Sequence, residues 1–393
     1  MGQIISLLGD WFNLIASAAL VAQLTKSGLA VGVLFVVRML SPFFTSLFAG
    51  LLADKYNRRN ILLVADILRA FAAFGFLLVR DPADVWLVFV FTALQLGISG
   101  IFNPTYNAIL PDLTTENELG AANALSSATW AVMLAVGAAL GGLVSGYFGM
   151  YTAFAIDGLT FLVSAGFLAA ITYRPPERTG PAEGGSLFAQ YRQGLAYLKN
   201  NRSILVLATN KAWVTLTTWA GIQVSLVTLS QNVFPIGDGG SISLGLMFAA
   251  QGLGTGLGPI FLRRITRDDP DRMRTMIAAS FAMSTVGLVT AAVLGQLWIF
   301  LLGLILVGLG AGSVWVFTTQ LLLIQVPADI RGRIMAVELG LFTLASAAAA
   351  AIVGAATELG STERHILLTS AVVAIVPAVL WTVRVAKKID RAV

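Results

Sequence analysis

Seven ionisable side chains stand in stretches that are otherwise apolar: Asp10, Arg38, Asp66, Arg69, Asp157, Lys211 and Glu338. Carboxylates and guanidiniums in such surroundings do one of two things. They pair and neutralise each other, or they take up and release protons. Asp66 and Arg69 are three residues apart, close to one helical turn, so they can pair on one face. Asp10 shares a stripe with Ser6, Asn13 and Ser17, spaced so that a helix puts all four on one side, toward water or a cavity. Asp10, Arg38, Asp66 and Arg69 form a cluster of two acids and two bases, formally neutral. Protonating Asp10 or Asp66 would upset that balance and favour one packing of the helices over another. Purely structural pairing is the other reading, and both stay open. Asp157 reads as part of the outer scaffold. Lys211 shares a face with Thr215 and Thr218, which suits an anionic or carbonyl-rich ligand or, equally, a pairing with Glu338.

Other chemistry is excluded more simply. The chain has no cysteine and one histidine, His365, so thiolate and histidine metal sites are not expected. The runs GLGTGLG (252–258) and GLGAG (308–312) lack the Lys-Ser/Thr of a phosphate-binding loop and a preceding strand. There is no GxSxG and no HExxH. The reading is therefore no enzyme, no cofactor and no metal. Gly252/Gly256 and Gly254/Gly258 instead read as GxxxG pairs for close helix packing.

The residues around the charges set their solvent. Of 393 residues 57% are hydrophobic and 11% charged, with a mean hydropathy of +0.83. Soluble domains carry about 25% charged residues, so a bilayer is the natural surrounding. Twelve spans are predicted: 3–25, 29–53, 60–79, 84–106, 119–147, 149–172, 203–231, 242–264, 273–294, 297–325, 332–357 and 365–386. The first basic residue is Lys26, so the N-terminal apolar segment reads as a span and not as a cleaved signal. Pro and Gly crowd residues 173–186, and LFAQYRQGLAYLKNN reads as an amphipathic surface helix. The fold class is thus all-α membrane, in three parts: a six-helix bundle over 1–172, a linker over 173–201, and a second six-helix bundle over 202–393. Net charge is +5. Most Lys and Arg fall in alternate loops, which predicts a multi-pass protein of the cell's inner membrane with both termini cytoplasmic, and no nucleic-acid partner. The halves echo each other weakly, since GVLFVVRMLSPFFTSLFAGLLADKYNRR aligns with GLMFAAQGLGTGLGPIFLRRITRDDPDR.

The charged inner loop after the second span carries a resemblance. Gly50, Leu52, Asp54, Lys55, Arg58 and Arg59 match, in order, the loop signature of the major facilitator superfamily. Asn57 stands where a glycine is usual, and asparagine tolerates the positive φ of such a turn. LGDWFNLIASAAL, VVRMLSP, LLVADILRA, FNPTYNAILPDL, ELGAANALSS and IRGRIMAVELG resemble the branch of enterobactin exporters and macrolide efflux proteins.

The resemblance implies two pseudo-symmetric bundles and export of hydrophobic or amphiphilic solutes, drug-like or siderophore-like, by alternating access with proton antiport. Its partners are then the solute, protons and membrane lipids, and the functional unit is a monomer. Import, facilitation or lipid transport on the same scaffold is the alternative, and a non-transporting receptor a weaker one. It implies a cytoplasmic gate in which Asp54 meets the helix near Arg331 and Arg333, with Glu338 close to it. It implies a cavity lined by spans one, four, seven and ten. Asn13, Gln95, Asn103, Tyr106 and Asn107 would contribute from the first bundle. Lys211, Trp213, Trp219, Gln223, Trp315 and Gln320 would contribute from the second, although aromatics at these positions can equally pack. Gly137, Gly141 and Gly142 fall in the packing element of span five, where Ala138 replaces the family's proline. Ala93 replaces an arginine common in span four of proton antiporters.

Overall fold

The computed structural model describes residues 2–115, 132–173 and 187–389, with isolated positions between 116 and 131; the side chains of 50, 51, 54, 187–190 and 384–389 are excepted. The expectations placed on Gly50 and Asp54, and most of the first half of span five, lie outside the described residues.

Among the described residues fourteen α-helices can be followed in full. They are α1 Gly2–Thr25, α2 Gly28–Lys55, α3 Arg58–Gly75, α4 Val85–Leu113, α5 Ala138–Phe148, α6 Met150–Ala170 and α7 Leu187–Asn200. Then come α8 Arg202–Thr218, α9 Ala220–Asn232, α10 Ser241–Thr266, α11 Pro270–Ala291, α12 Leu297–Gln325, α13 Ala328–Glu358 and α14 Glu363–Ile389. Eleven stretches among the described residues are long and apolar enough to cross a membrane, with α8 and α9 counted as one, and the shorter apolar stretch Met133–Phe148 stands where the second half of span five was predicted.

Local chemistry fixes the joints. Ser27 Oγ caps α2 by accepting from Ala30 N at 3.2 Å. Asn57 was expected to turn the chain with a positive φ. It lies instead at φ −63°, ψ 118°, and its side chain accepts from Asn60 N as the N-cap of α3. Asparagine is retained there as a cap, which a glycine could not be through a side chain. Pro42 lies inside α2. It removes the hydrogen bond to the carbonyl of Arg38, four residues back, and loosens the helix there. Span five carries a π-helical turn over Met133–Gly137, directly before Ala138. A wide turn thus stands beside the position where the family's proline would bend the helix.

Span seven is broken. Trp219 has φ −121°, ψ −84° between α8 and α9. The break frees the carbonyl of Thr218, and Gln251, 1% exposed, donates its Nε2 to it at 2.9 Å.

The chain divides into two compact units: Met1–Gly184 with Leu229–Ala249, and Gly185–Thr228 with Ala250–Val393. The sequence reading divided it once, in the linker. In the first unit Gln231 Nε2 donates to Ala19 O at 3.0 Å, and Gly142 lies so close to Gly245 that a Cβ on it would meet Gly245 Cα at 2.7 Å. In the second unit α7 packs on α13: a Cβ on Gly194 would meet Arg333 O at 2.8 Å.

Glycine contacts choose between the two GxxxG pairs of this run. A Cβ on Gly256 would meet nothing within 4 Å. The close approach of α10 to α12 runs through Gly254 and Gly258, which oppose Ile305 and Leu309, and through Gly308 and Gly312, which oppose Gln251 and Thr255. A shift of two residues turns a helix through about 200°, so the GxxxG pair that packs is the other one in the same run. Gly137 and Gly141 pack on Trp11 and Phe12 of α1.

Candidate functional site

The first unit gathers charge at the crossing of α1, α3, α4 and α6. Arg69 is 2% exposed and donates to Asp66 Oδ1, and also to Ser99 Oγ at 3.3 Å. Its guanidinium lies 4.0 Å from the centre of the Phe102 ring and 4.4 Å from that of Phe161. Two cation–π contacts hold the group where no water need solvate it. Asp66 is fully buried. Asp10 lies within electrostatic reach of Arg38, Arg69 and Asp66.

Asp157 joins this cluster instead of the outer scaffold. It is fully buried, and Gln95 Nε2 donates to its Oδ2 at 2.9 Å. It lies within reach of the charges of Asp10, Arg38 and Arg69. Gly9 lets α1 and α6 come together at this point, because a Cβ there would stand 2.6 Å from Asp157 Oδ1. The cluster therefore holds three carboxylates and two guanidiniums, not the two and two read from the sequence. One oxygen on each of Asp10, Asp66 and Asp157 is buried without a hydrogen-bond partner among the described residues. Two such groups were missed by sequence reasoning: Gln95 was assigned to the cavity and Gly9 was not singled out. Helical spacing links Gln95 to Ser99 and thus to Arg69, a signal that was present but not decisive.

The remaining cavity residues of this unit divide. Ser6, Asn13 and Ser17 of the α1 stripe are all buried. Asn103 and Asn107 are exposed, and the Tyr106 hydroxyl lies 3.3 Å from Ser126 Oγ.

At the charged loop, the basic pair reaches inward. Arg58 Nη1 donates to Ala108 O and to Asp112 Oδ2, each at 2.8 Å. Arg59 Nε donates to Leu168 O at 2.9 Å and its Nη2 to Ala169 O. Both arginines thus sit at the carbonyl ends of α4 and α6, where cations complement the helix dipole. Lys55 is exposed.

In the second unit Lys211 is 5% exposed, and its Nζ donates to Glu338 Oε2 at 3.0 Å and lies 4.3 Å from the centre of the Trp315 ring. Glu338 is therefore a partner of Lys211 within the bundle. Arg331 turns to Val326 O at the start of its own helix. Gln223 is 5% exposed, Trp213 and Trp219 are half-buried, and Gln320 donates to Asp268 Oδ1 at 3.3 Å in the loop after α10. Groups of three or more His, Cys, Asp or Glu able to hold a metal ion are absent among the described residues.

Comparison with known proteins agrees with this architecture. The family profile described as Major Facilitator Superfamily matches residues 1–350. The uncharacterized MFS-type transporter YfiS of Bacillus subtilis is 30% identical over 201 residues, 50% of this chain and 47% of the relative. The multidrug efflux pump Tap of Mycobacterium tuberculosis is 27% identical over 209 residues, 51% of this chain and 49% of the relative. The chain thus spans about half the length of the curated relatives it matches. The crystal structure of the POT family transporter PepTSo superposes with a TM-score of 0.72 at 15% identity, covering 98% of this chain and 97% of that one.

Proposed function

The chain belongs to the Major Facilitator Superfamily, and on that premise we propose that it is a secondary active transporter that exports hydrophobic or amphiphilic small molecules by proton antiport. It works as a monomer in the cell's inner membrane, with both termini cytoplasmic, and Lys55 meets anionic headgroups at the inner surface.

The observation that carries this reading is the charge balance in the first unit. Asp10, Asp66 and Asp157 oppose Arg38 and Arg69, so the cluster is one proton short of neutrality when every acid is ionised. An unbalanced charge among apolar helices is costly, and one bound proton removes it. Loading and unloading that proton biases which packing of the helices is favoured, which is what a gradient needs in order to drive alternating access. The buried carboxylate oxygens without donors are the acceptors for it. Likeness to a protein described as a multidrug efflux pump favours export of more than one solute.

The test is dye uptake into proteoliposomes under an imposed pH gradient. The wild type accumulates amphiphilic dyes only with the gradient in place, and Asp10→Asn inserts and folds but shows none of the gradient-driven component. Full gradient-driven uptake by Asp10→Asn would remove the coupling role of the cluster.

A further inference from the structure

The buried pair of the second unit is satisfied on one side only. Lys211 donates to Glu338 Oε2, while Glu338 Oε1 is buried and has no hydrogen-bond donor among the described residues. Glu338 itself is 2% exposed. A buried ion pair stabilises a fold when its remaining lone pairs are also met, and a pair with an open carboxylate oxygen is a poor structural device. Beside it stands an aromatic wall. The Trp315 ring lies under the Lys211 ammonium and packs edge-on against Phe342 with centroids 5.0 Å apart. Trp315 is 38% exposed, so this wall runs from the buried carboxylate to the surface of the unit.

A buried carboxylate and an indole face that share one ammonium, 3.0 Å from the first and 4.3 Å from the centre of the second, have one natural complement. A cation bearing N–H donors gains a charge-assisted hydrogen bond from the first and a cation–π contact from the second. Lys211 makes both contacts with one flexible side chain, and its four-carbon stem lets it withdraw. We propose that Glu338 and Trp315 form a binding subsite for an organic cation carried on a flat apolar body, and that Lys211 is the resident cation with which such a solute competes. The proposal rests on the transport reading above and names its solute class.

Competition gives the proposal a sign that a structural pair would not have. Removing Lys211 clears the competitor and leaves the acceptor, so cation affinity rises. Removing the Glu338 charge lowers it. Neutral amphiphiles, which use the aromatic wall alone, are indifferent to both.

Ethidium is a suitable probe, being a flat permanent cation with aryl-amine donors. Nile red serves as the neutral control. Binding to the purified full chain in detergent is followed by fluorescence without any gradient, with Trp315→Phe assigning the indole signal. Lys211→Met is expected to bind ethidium about tenfold tighter than wild type, and Glu338→Gln about tenfold weaker. The double variant is expected to be no tighter than Glu338→Gln, and all should bind Nile red alike. Lys211→Gln, paired by a neutral hydrogen bond, is the second variant should Lys211→Met fail to fold. Weaker or unchanged ethidium binding by a folded Lys211 variant overturns the proposal, as does wild-type affinity in Glu338→Gln or no binding by the wild type. Failure of the transport reading looks different: dye is bound in this pattern, but the wild type moves none under a pH gradient.

Discussion

At the scale of single residues, the charge cluster of the first unit turns on Arg69, whose guanidinium is engaged by Asp66, Ser99, Phe102 and Phe161. The three-residue spacing of Asp66 and Arg69 placed them on one helical turn, and the structure pairs them. The aromatic cage could not be read, because Phe102 and Phe161 come from α4 and α6 and reach Arg69 only through tertiary packing. Asp157 was misplaced for the same reason: its partners Gln95 and Gly9 are distant in sequence. Two predictions belong at this scale. Arg69→Gln strips the cage of its cation and leaves Asp66 without a counter-charge. It should cost about 3–5 kcal/mol, the usual loss on removing one partner of a buried pair, read as a lower melting temperature in detergent. Asp157→Asn keeps a group for Gln95 to bond but brings the cluster to two acids and two bases. Such a protein should melt no lower than wild type, while gradient-driven dye uptake falls by about tenfold or more. Near-normal uptake would place the exchanged proton outside this cluster.

At the scale of elements, the sequence located the helices and missed how some are joined. Composition and length were enough for the spans, since only apolar runs of about 20 residues fit the bilayer. The break at Trp219 has no Pro to announce it, Gly221 two residues on is a weak signal, and the side chain that mends it, Gln251, lies more than thirty residues on. Gln251→Leu leaves the Thr218 carbonyl buried without its donor. A loss of about 1–3 kcal/mol follows from that alone, measurable as a thermal shift. The loop after α10 holds Arg267 and Asp268 at φ 50° and 58°, left-handed values that cost Arg267 and that aspartate tolerates better than most residues. Arg263 holds it there with Nε at 2.9 Å from Asp268 Oδ1 and Nη2 at 2.7 Å from Oδ2. Hydrogen bonds from Arg263, then from Gln320, lower the pKa of Asp268. A depressed carboxylate stabilises the fold above the usual aspartate range, near 4, and that contribution is lost as pH falls through its own lower value. Melting of the wild type between about pH 5 and 3 should therefore drop more steeply than that of Asp268→Asn; parallel curves would leave the fork without a role in stability.

At the scale of the whole molecule, halves of the sequence and compact units of the structure do not coincide. Hydropathy and the proline-rich linker announce one division, but Leu229–Ala249 packs into the first unit. Nothing in a linear pattern could show this, because it depends on Gly142, Gly146 and Gly245 allowing backbones to meet. In a transport cycle where this segment leaves the first unit, holding it there stops the cycle. The chain is free of native cysteine, so a single engineered pair can test it. A Cβ built on Gly146 stands 2.4 Å from Ile242 Cγ1, inside the roughly 3 Å that a disulfide leaves between one β carbon and the far sulfur, so the two side chains meet and the backbones part slightly for the bond to form. Gly146→Cys with Ile242→Cys should cross-link under mild oxidation and lose at least about nine-tenths of its transport. Reductant should restore it, and neither single variant should respond to oxidant. Full transport by quantitatively cross-linked protein would mean that the segment stays with the first unit throughout, and that access changes elsewhere along the chain.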